Sequence, residues 1–256
     1  MLKYLISSCL IVCLFSCVST QLKPVIYKGS LPAYPAVARV LSDRQIDIES
    51  IDVFNDEVCS GYIYVVDLMV PYRFKVLVRN SSGYIRAQSV GMQFKDTSKG
   101  MWTDHSSLLV FDINKYLNDF SQEISAILVD PQEYTSSKNR VLADLSVVYR
   151  VIQNMTDVGR EQWVADNLIG RDFTINLPLD AFYKNSDKRI DKGYTALLSY
   201  RKGLSSLFAD FAIYLYTDND TYAKIRVGGD VSVKGSLVRV EKSVGRALFA
   251  LSLIEQ

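Results

Sequence analysis

This chain of 256 residues has one histidine, no cysteines that read as a pair and almost no surplus of either charge. A lone imidazole, His105, cannot build a multi-histidine zinc site, so no resident metal is expected. No Gly-x-Ser-x-Gly elbow occurs anywhere, which removes the usual local frame for a serine nucleophile. The chain therefore reads as a non-enzyme without a cofactor. Lys plus Arg number 29 against 28 Asp plus Glu, a net charge of +1, so long-range attraction favours neither nucleic acid nor an anionic membrane. Of four cysteines, Cys9, Cys13 and Cys17 lie in or beside the first apolar run, leaving Cys59 alone in the fold. One cysteine closes no internal disulfide, and without a companion histidine Cys59 reads as a structural thiol. The first apolar run is too short for a membrane-spanning helix of roughly 20 residues, and no later segment reaches that length without charges. With 48% hydrophobic residues the chain has ample material for buried cores.

The first sixteen residues stand apart from the fold. Met1-Leu2-Lys3 is a short positive start, and residues 4–15 are apolar except for Ser7 and Ser8, the pattern of a secretory signal. Its end, Leu14-Phe15-Ser16-Cys17, resembles the lipobox of bacterial lipoproteins. Cleavage before Cys17 would leave an acylated cysteine at the mature terminus, and two or more acyl chains anchor a protein stably. Ordinary cleavage after Ser19, with Cys17 lost, is the alternative.

Residues 17–42 carry Pro24, Gly29, Pro32 and Pro35 with little periodicity and read as a tether. Residues 43–158 read as a mainly β domain. Its strands are expected at 46–54, 62–70, 73–79, 84–94, 123–129 and 140–152, where β-branched and aromatic residues concentrate. The spacing of Leu108, Leu109, Ile113, Tyr116, Leu117 and Phe120 fits one helix between residues 104 and 120, although Val110-Phe111 keeps a strand open as the alternative.

The rhythm changes between Thr156 and Arg171, so a second domain is placed at 159–256. A strand at 173–177 is expected to stop at Pro178, a helix to run over 191–207, a strand over 210–216 and a final helix over 240–254. Gly228-Gly229-Asp230 predicts a hairpin turn between strands at 222–227 and 231–238. The expected fold class is α+β: an N-terminal mainly β domain followed by a C-terminal α/β layer with an inserted hairpin.

Specific residues in that second domain carry a resemblance. Phe182-Tyr183-Lys184-Asn185-Ser186, Gly193, Leu197, Thr217-Asp218-Asn219 and Ser243-Val244-Gly245-Arg246-Ala247 together resemble the OmpA-like peptidoglycan-binding domain. The resemblance implies that Asp218 and Arg246, with Thr217 beside them, bind the amino and carboxylate groups of diaminopimelate in the peptidoglycan stem. An anion facing a planar cation suits such a zwitterion, because arginine matches a carboxylate bidentately. The whole chain then reads as a cell-envelope lipoprotein, anchored through Cys17 in the outer membrane facing the periplasm and linking it to the cell wall. The alternative is an accessory lipoprotein of an envelope transporter or secretion machine, whose domains are assembly surfaces for a protein complex and bind no peptidoglycan. Neither reading involves nucleic acid.

Overall fold

The computed structural model describes residues 25–26, 30–65, 71–81, 84–96, 98–104, 111–186, 188–200, 209–242 and 247–256. Cys17, His105 and Arg246 lie outside the described residues. The fold is mixed α+β and divides into two compact units, residues 1–137 and 138–256. The division falls inside a helix, ahead of the switch expected after Thr156.

In the first unit, seven antiparallel strands form one sheet. Strands β1 (Val25–Ile26), β6 (Tyr84–Asp96), β5 (Tyr72–Ser81), β3 (Glu57–Ser60) and β2 (Ile48–Asp52) are neighbours in that order, while β4 (Ile63–Val65) adds to β5 and β7 (Met101–Asp104) to β6. β5 shows why the sheet has two unlike faces. Tyr72, Phe74, Val76 and Val78 are buried, whereas the alternate positions Arg73, Lys75 and Arg79 turn to the other side. Helices α1 (Tyr34–Asp43) and α2 (Phe111–Val129) cover the apolar face. Tyr116 of α2 meets Phe74 edge-on at 5.7 Å. Ile113, Leu117, Phe120, Ile124 and Leu128 form the buried stripe of α2.

Two expectations change here. The segment read as tether contains α1, whose Tyr34, Pro35, Ala36, Val37, Ala38, Val40 and Leu41 are all buried. Pro35 opens this helix, where a missing N–H costs nothing. The cap comes from far away: the Ala33 and Tyr34 N–H groups donate to the Asp56 carboxylate at 2.6 and 2.9 Å. The strand expected at 123–129 is the last two turns of α2.

The second unit begins within α3 (Pro131–Ala143) and continues through α4 (Leu145–Ile152) and α5 (Asp157–Asn167), so the strand expected at 140–152 is helical. α4 buries Leu145, Val147, Val148, Tyr149, Val151 and Ile152, nearly its whole circumference, and a short apolar run buried all round has no period that separates helix from strand. Asp144 decides its start, accepting the Ser146 N–H at 2.8 Å.

The expected C-terminal α/β layer is replaced by a closed barrel of five strands. β8 (Asp172–Lys184), β9 (Tyr194–Tyr200), β10 (Ala209–Thr217), β11 (Asp230–Lys242) and β12 (Ala247–Glu255) close in the order β10-β12-β11-β8-β9, with β10 and β12 parallel and every other pair antiparallel. The helices expected at 191–207 and 240–254 are therefore strands where they are described. In β12, Phe249, Leu251 and Leu253 are buried and the intervening Ser252 is buried too, so polar–apolar alternation vanishes and the spacing imitates a helix. Pro178 does not end β8. It sits where the strand leaves β11 and joins β9, a position that can spare a ladder N–H. Gly228-Gly229 leads from a 3-10 turn (Asp220–Lys224) into β11 and joins no hairpin.

The barrel core contains Phe173, Leu198, Phe211, Ile213, Leu215, Leu237, Leu251 and Leu253, all fully buried. Phe211 meets Phe249 in a tilted pair at 6.2 Å and receives Tyr149 of α4 edge-on at 5.7 Å. Gly235 is required by close approach: a Cβ there would lie 3.1 Å from the Ile254 carbonyl and 3.2 Å from Leu253 Cβ.

Candidate functional site

Two of the residues singled out for ligand binding, Thr217 and Asp218, lie at the mouth of the barrel where β10 ends. Thr217 is buried; its hydroxyl donates to the Glu255 carboxylate and accepts the Asn219 N–H at 2.8 Å. The Tyr222 hydroxyl donates to the same carboxylate, and burial together with that anion pushes its pKa well above the ordinary 10.0. Thr217 therefore ties β10 to the end of β12.

Asp218 is exposed and already has a cation. Its Oδ2 lies 2.9 Å from Lys192 Nζ, and its Oδ1 accepts the Gly193 N–H at 2.9 Å. The Lys192 ammonium, then the Gly193 amide, hold its carboxyl below the usual 3.8, while Asp218 in turn raises the Lys192 pKa. Asn185 closes the same loop, donating to the carbonyls of Ile190 and Lys192 at 3.2 and 3.0 Å. The structure thus brings Thr217 and Asp218 together as anchors of neighbouring loops.

Arg246 is not described, but its neighbour is. Ala247 pairs with Ala209 at the start of β10, whereas Thr217 stands at the far end of that strand, roughly 26 Å away at the ordinary rise of a strand. The hairpin that was expected to return the chain from Asp218 to Arg246 is absent. In its place the chain runs through a 3-10 turn and then β11, which pairs with β8 and β12.

A second arrangement had no sequence signal. On the polar face of the first unit's sheet, Tyr64, Arg73, Gln93 and Asp104 are consecutive cross-strand partners on β4, β5, β6 and β7. Their side chains are joined in the same order. Arg73 Nη1 donates to the Tyr64 hydroxyl at 3.2 Å, Arg73 Nε donates to Gln93 Oε1 at 2.7 Å, and Gln93 Nε2 donates to Asp104 Oδ1 at 2.8 Å. The guanidinium lies over two rings, 4.1 Å from the centroid of Tyr62 and 4.4 Å from that of Trp102. Tyr64 meets Trp102 edge-on at 5.9 Å and is 61% exposed. Among the described residues no carboxylate forms an ion pair with Arg73, in contrast to Lys75, which pairs with Glu49 at 2.6 Å, and Arg79, which pairs with Glu57. A cavity of about 940 Å³ adjoins the row, lined in part by Tyr62, Ile63, Tyr64, Asp47, Arg44 and Tyr116. These residues were invisible as a group because pairing across four strands, and no short spacing, unites them.

Cys59 is on the neighbouring strand β3. Burial and the nearby Glu49 carboxylate push its thiol up to about 11, which disfavours the reactive thiolate. No group of three or more His, Cys, Asp or Glu side chains suited to a metal ion occurs among the described residues.

No family model matches this chain, and no curated protein matches it.

Proposed function

We propose that this chain is a non-enzymatic lipoprotein of the cell envelope, anchored through Cys17, whose folded units serve as assembly surfaces for a protein complex. The observation that carries this reading is the contrast between two charges. Arg73 lies against the rings of Tyr62 and Trp102 with no carboxylate partner among the described residues, while Asp218 already holds Lys192 and the Gly193 amide. A protein interface draws on the residue types found around Arg73, since tyrosine, tryptophan and arginine are the side chains enriched at binding hot spots. The barrel supports a binding role as well. Five strands with Greek-key connections and one parallel pair resemble the oligonucleotide/oligosaccharide-binding (OB) barrel, a scaffold that carries binding loops and no single chemistry.

The reading in which the second unit binds peptidoglycan has weaker support, because Asp218 already holds Lys192 and the Gly193 amide. Two measurements decide. Membrane fractionation should find the unmodified protein in the envelope membranes and the Cys17→Ser variant released from them; a soluble wild-type protein overturns the anchor. Sedimentation with purified sacculi should leave the protein in the supernatant. Binding to sacculi that is lost in both Asp218→Ala and Arg246→Ala would restore the peptidoglycan reading.

A further inference from the structure

We propose that the Tyr64–Arg73–Gln93–Asp104 row is the seat of a carboxylate, presented by an acidic segment of the partner protein. The assignment of the carboxylate to a protein rests on the assembly reading above; the anion site itself rests on geometry. Arg73 Nε and Nη1 are occupied by Gln93 and Tyr64, while Nη2 has no acceptor among the described residues. The two engaged nitrogens and the rings of Tyr62 and Trp102 fix the plane of the guanidinium, so the remaining donors are oriented before anything binds. Pre-orientation removes much of the rotamer entropy that a free arginine surrenders when it grips a carboxylate. Lys75 and Arg79 on the same strand each hold an acid of their own, Glu49 and Glu57, whereas Arg73 has no carboxylate among the described residues. Its half-buried position beside rings weakens solvent screening, and a carboxylate bound there accepts charge-assisted hydrogen bonds. Exposed Tyr64 offers apolar surface to the chain that carries the acid.

The test is fluorescence anisotropy of a fluorescein-labelled hexaglutamate peptide titrated with the full chain carrying Cys17→Ser, at about 50 mM salt. Saturable binding is expected, with hexaglutamine showing none. Arg73→Gln and Arg73→Lys should each weaken binding at least about tenfold, the second because a point charge cannot replace the fork. Arg79→Gln removes the same formal charge from a paired site and should change binding less than about twofold. Melting curves identify any variant that fails to fold, and Trp102→Ala, which loosens the guanidinium while keeping its charge, then supplies the comparison and should also weaken binding. Absent binding, or equal losses in Arg73→Gln and Arg79→Gln, overturns the site. Displacement of the peptide by inorganic phosphate as readily as by N-acetylglutamate overturns its assignment to a carboxylate. Failure here leaves the lipid anchor untouched, and release of the protein from membranes would leave the anion site standing.

Discussion

Lys192 Nζ lies 2.9 Å from Asp218 Oδ2, so the carboxylate that the sequence offers to a ligand's amino group already holds an amino group of its own chain. The pair joins the loop after β8 to the end of β10, with the Gly193 amide on the second carboxylate oxygen. A ligand's ammonium would have to displace Lys192 from a site its own backbone helps to build. Asp218 is thus accounted for as a loop anchor at the barrel mouth.

That anchor gives the protein a defined acid limit. Asp218, beside Lys192, and Asp172, bonded by Ser236 and then Lys234, both have pKa values lowered from 3.8 in the folded chain. A depressed carboxyl contributes stability that is complete above its unfolded value and lost as pH falls through its folded value. The melting temperature should therefore hold steady from pH 7 to about 5 and decline below about 4. Asp218→Asn should flatten part of that decline, an effect read by comparing melting curves across pH; an unchanged acid limb would show that the Lys192 pair contributes nothing.

Cys59 should be slow to react. With its thiol pushed up to about 11 from an ordinary 9.0, the thiolate fraction at pH 8 is roughly a hundredfold smaller than in the unfolded chain. In a chain with Cys9, Cys13 and Cys17 changed to serine, alkylation by iodoacetamide should be correspondingly slow, rise steadily to pH 10 and accelerate on unfolding. A native rate matching the denatured rate would contradict the burial.

Asp56 should matter to α1 although it lies outside that helix. It accepts the Ala33 and Tyr34 amides and also bonds Asn80 Nδ2 at 2.7 Å, holding helix, turn and β5 together. Loss of an N-cap costs about 0.5–2 kcal/mol. Asp56→Ala should fall at the upper end of that range in urea denaturation, and Asp56→Asn should recover part of it by keeping one acceptor. Ala33 has no side chain able to substitute.

Phe211 is the shared member of an aromatic cluster in the barrel core. It is fully buried between Tyr149, Tyr200 and Phe249. Phe211→Ala should cost about 3–5 kcal/mol, combining lost burial with a cavity that a closed barrel cannot collapse. Phe211→Leu should recover much of this. Equal stability of the alanine variant and the parent in denaturant would show that the aromatic cluster is not part of the core.

Some of this architecture was legible in the residues themselves. β5 alternates because one face meets helices and the other meets water, so Phe74 and Val76 announce their side before any partner is known. β10 was readable from Phe211, Ile213 and Leu215, and the helix around Ile113, Leu117 and Phe120 from its stripe. Three of the segments that misled, α4, β9 and β12, share one property: both of their faces are largely covered. α4 is buried nearly all round and looked like a strand, while β9 and β12, with Thr195 and Ser252 buried beside the core positions, looked like helices.

The polar sites divide along the same line. Composition alone determined that no multi-histidine metal site can form, because a count does not depend on folding. The motif Thr217-Asp218-Asn219 was visible because its residues are adjacent. What those residues do was decided by partners at Lys192 and Glu255, which only barrel closure brings within reach. Arg73 is the clearest case. Tyr64, Gln93 and Asp104 are scattered over forty positions of sequence, and strand register makes them a row. Local sequence governs propensity and the side a strand presents to water, whereas closure and register set which distant groups meet, because both depend on contacts summed over the whole sheet.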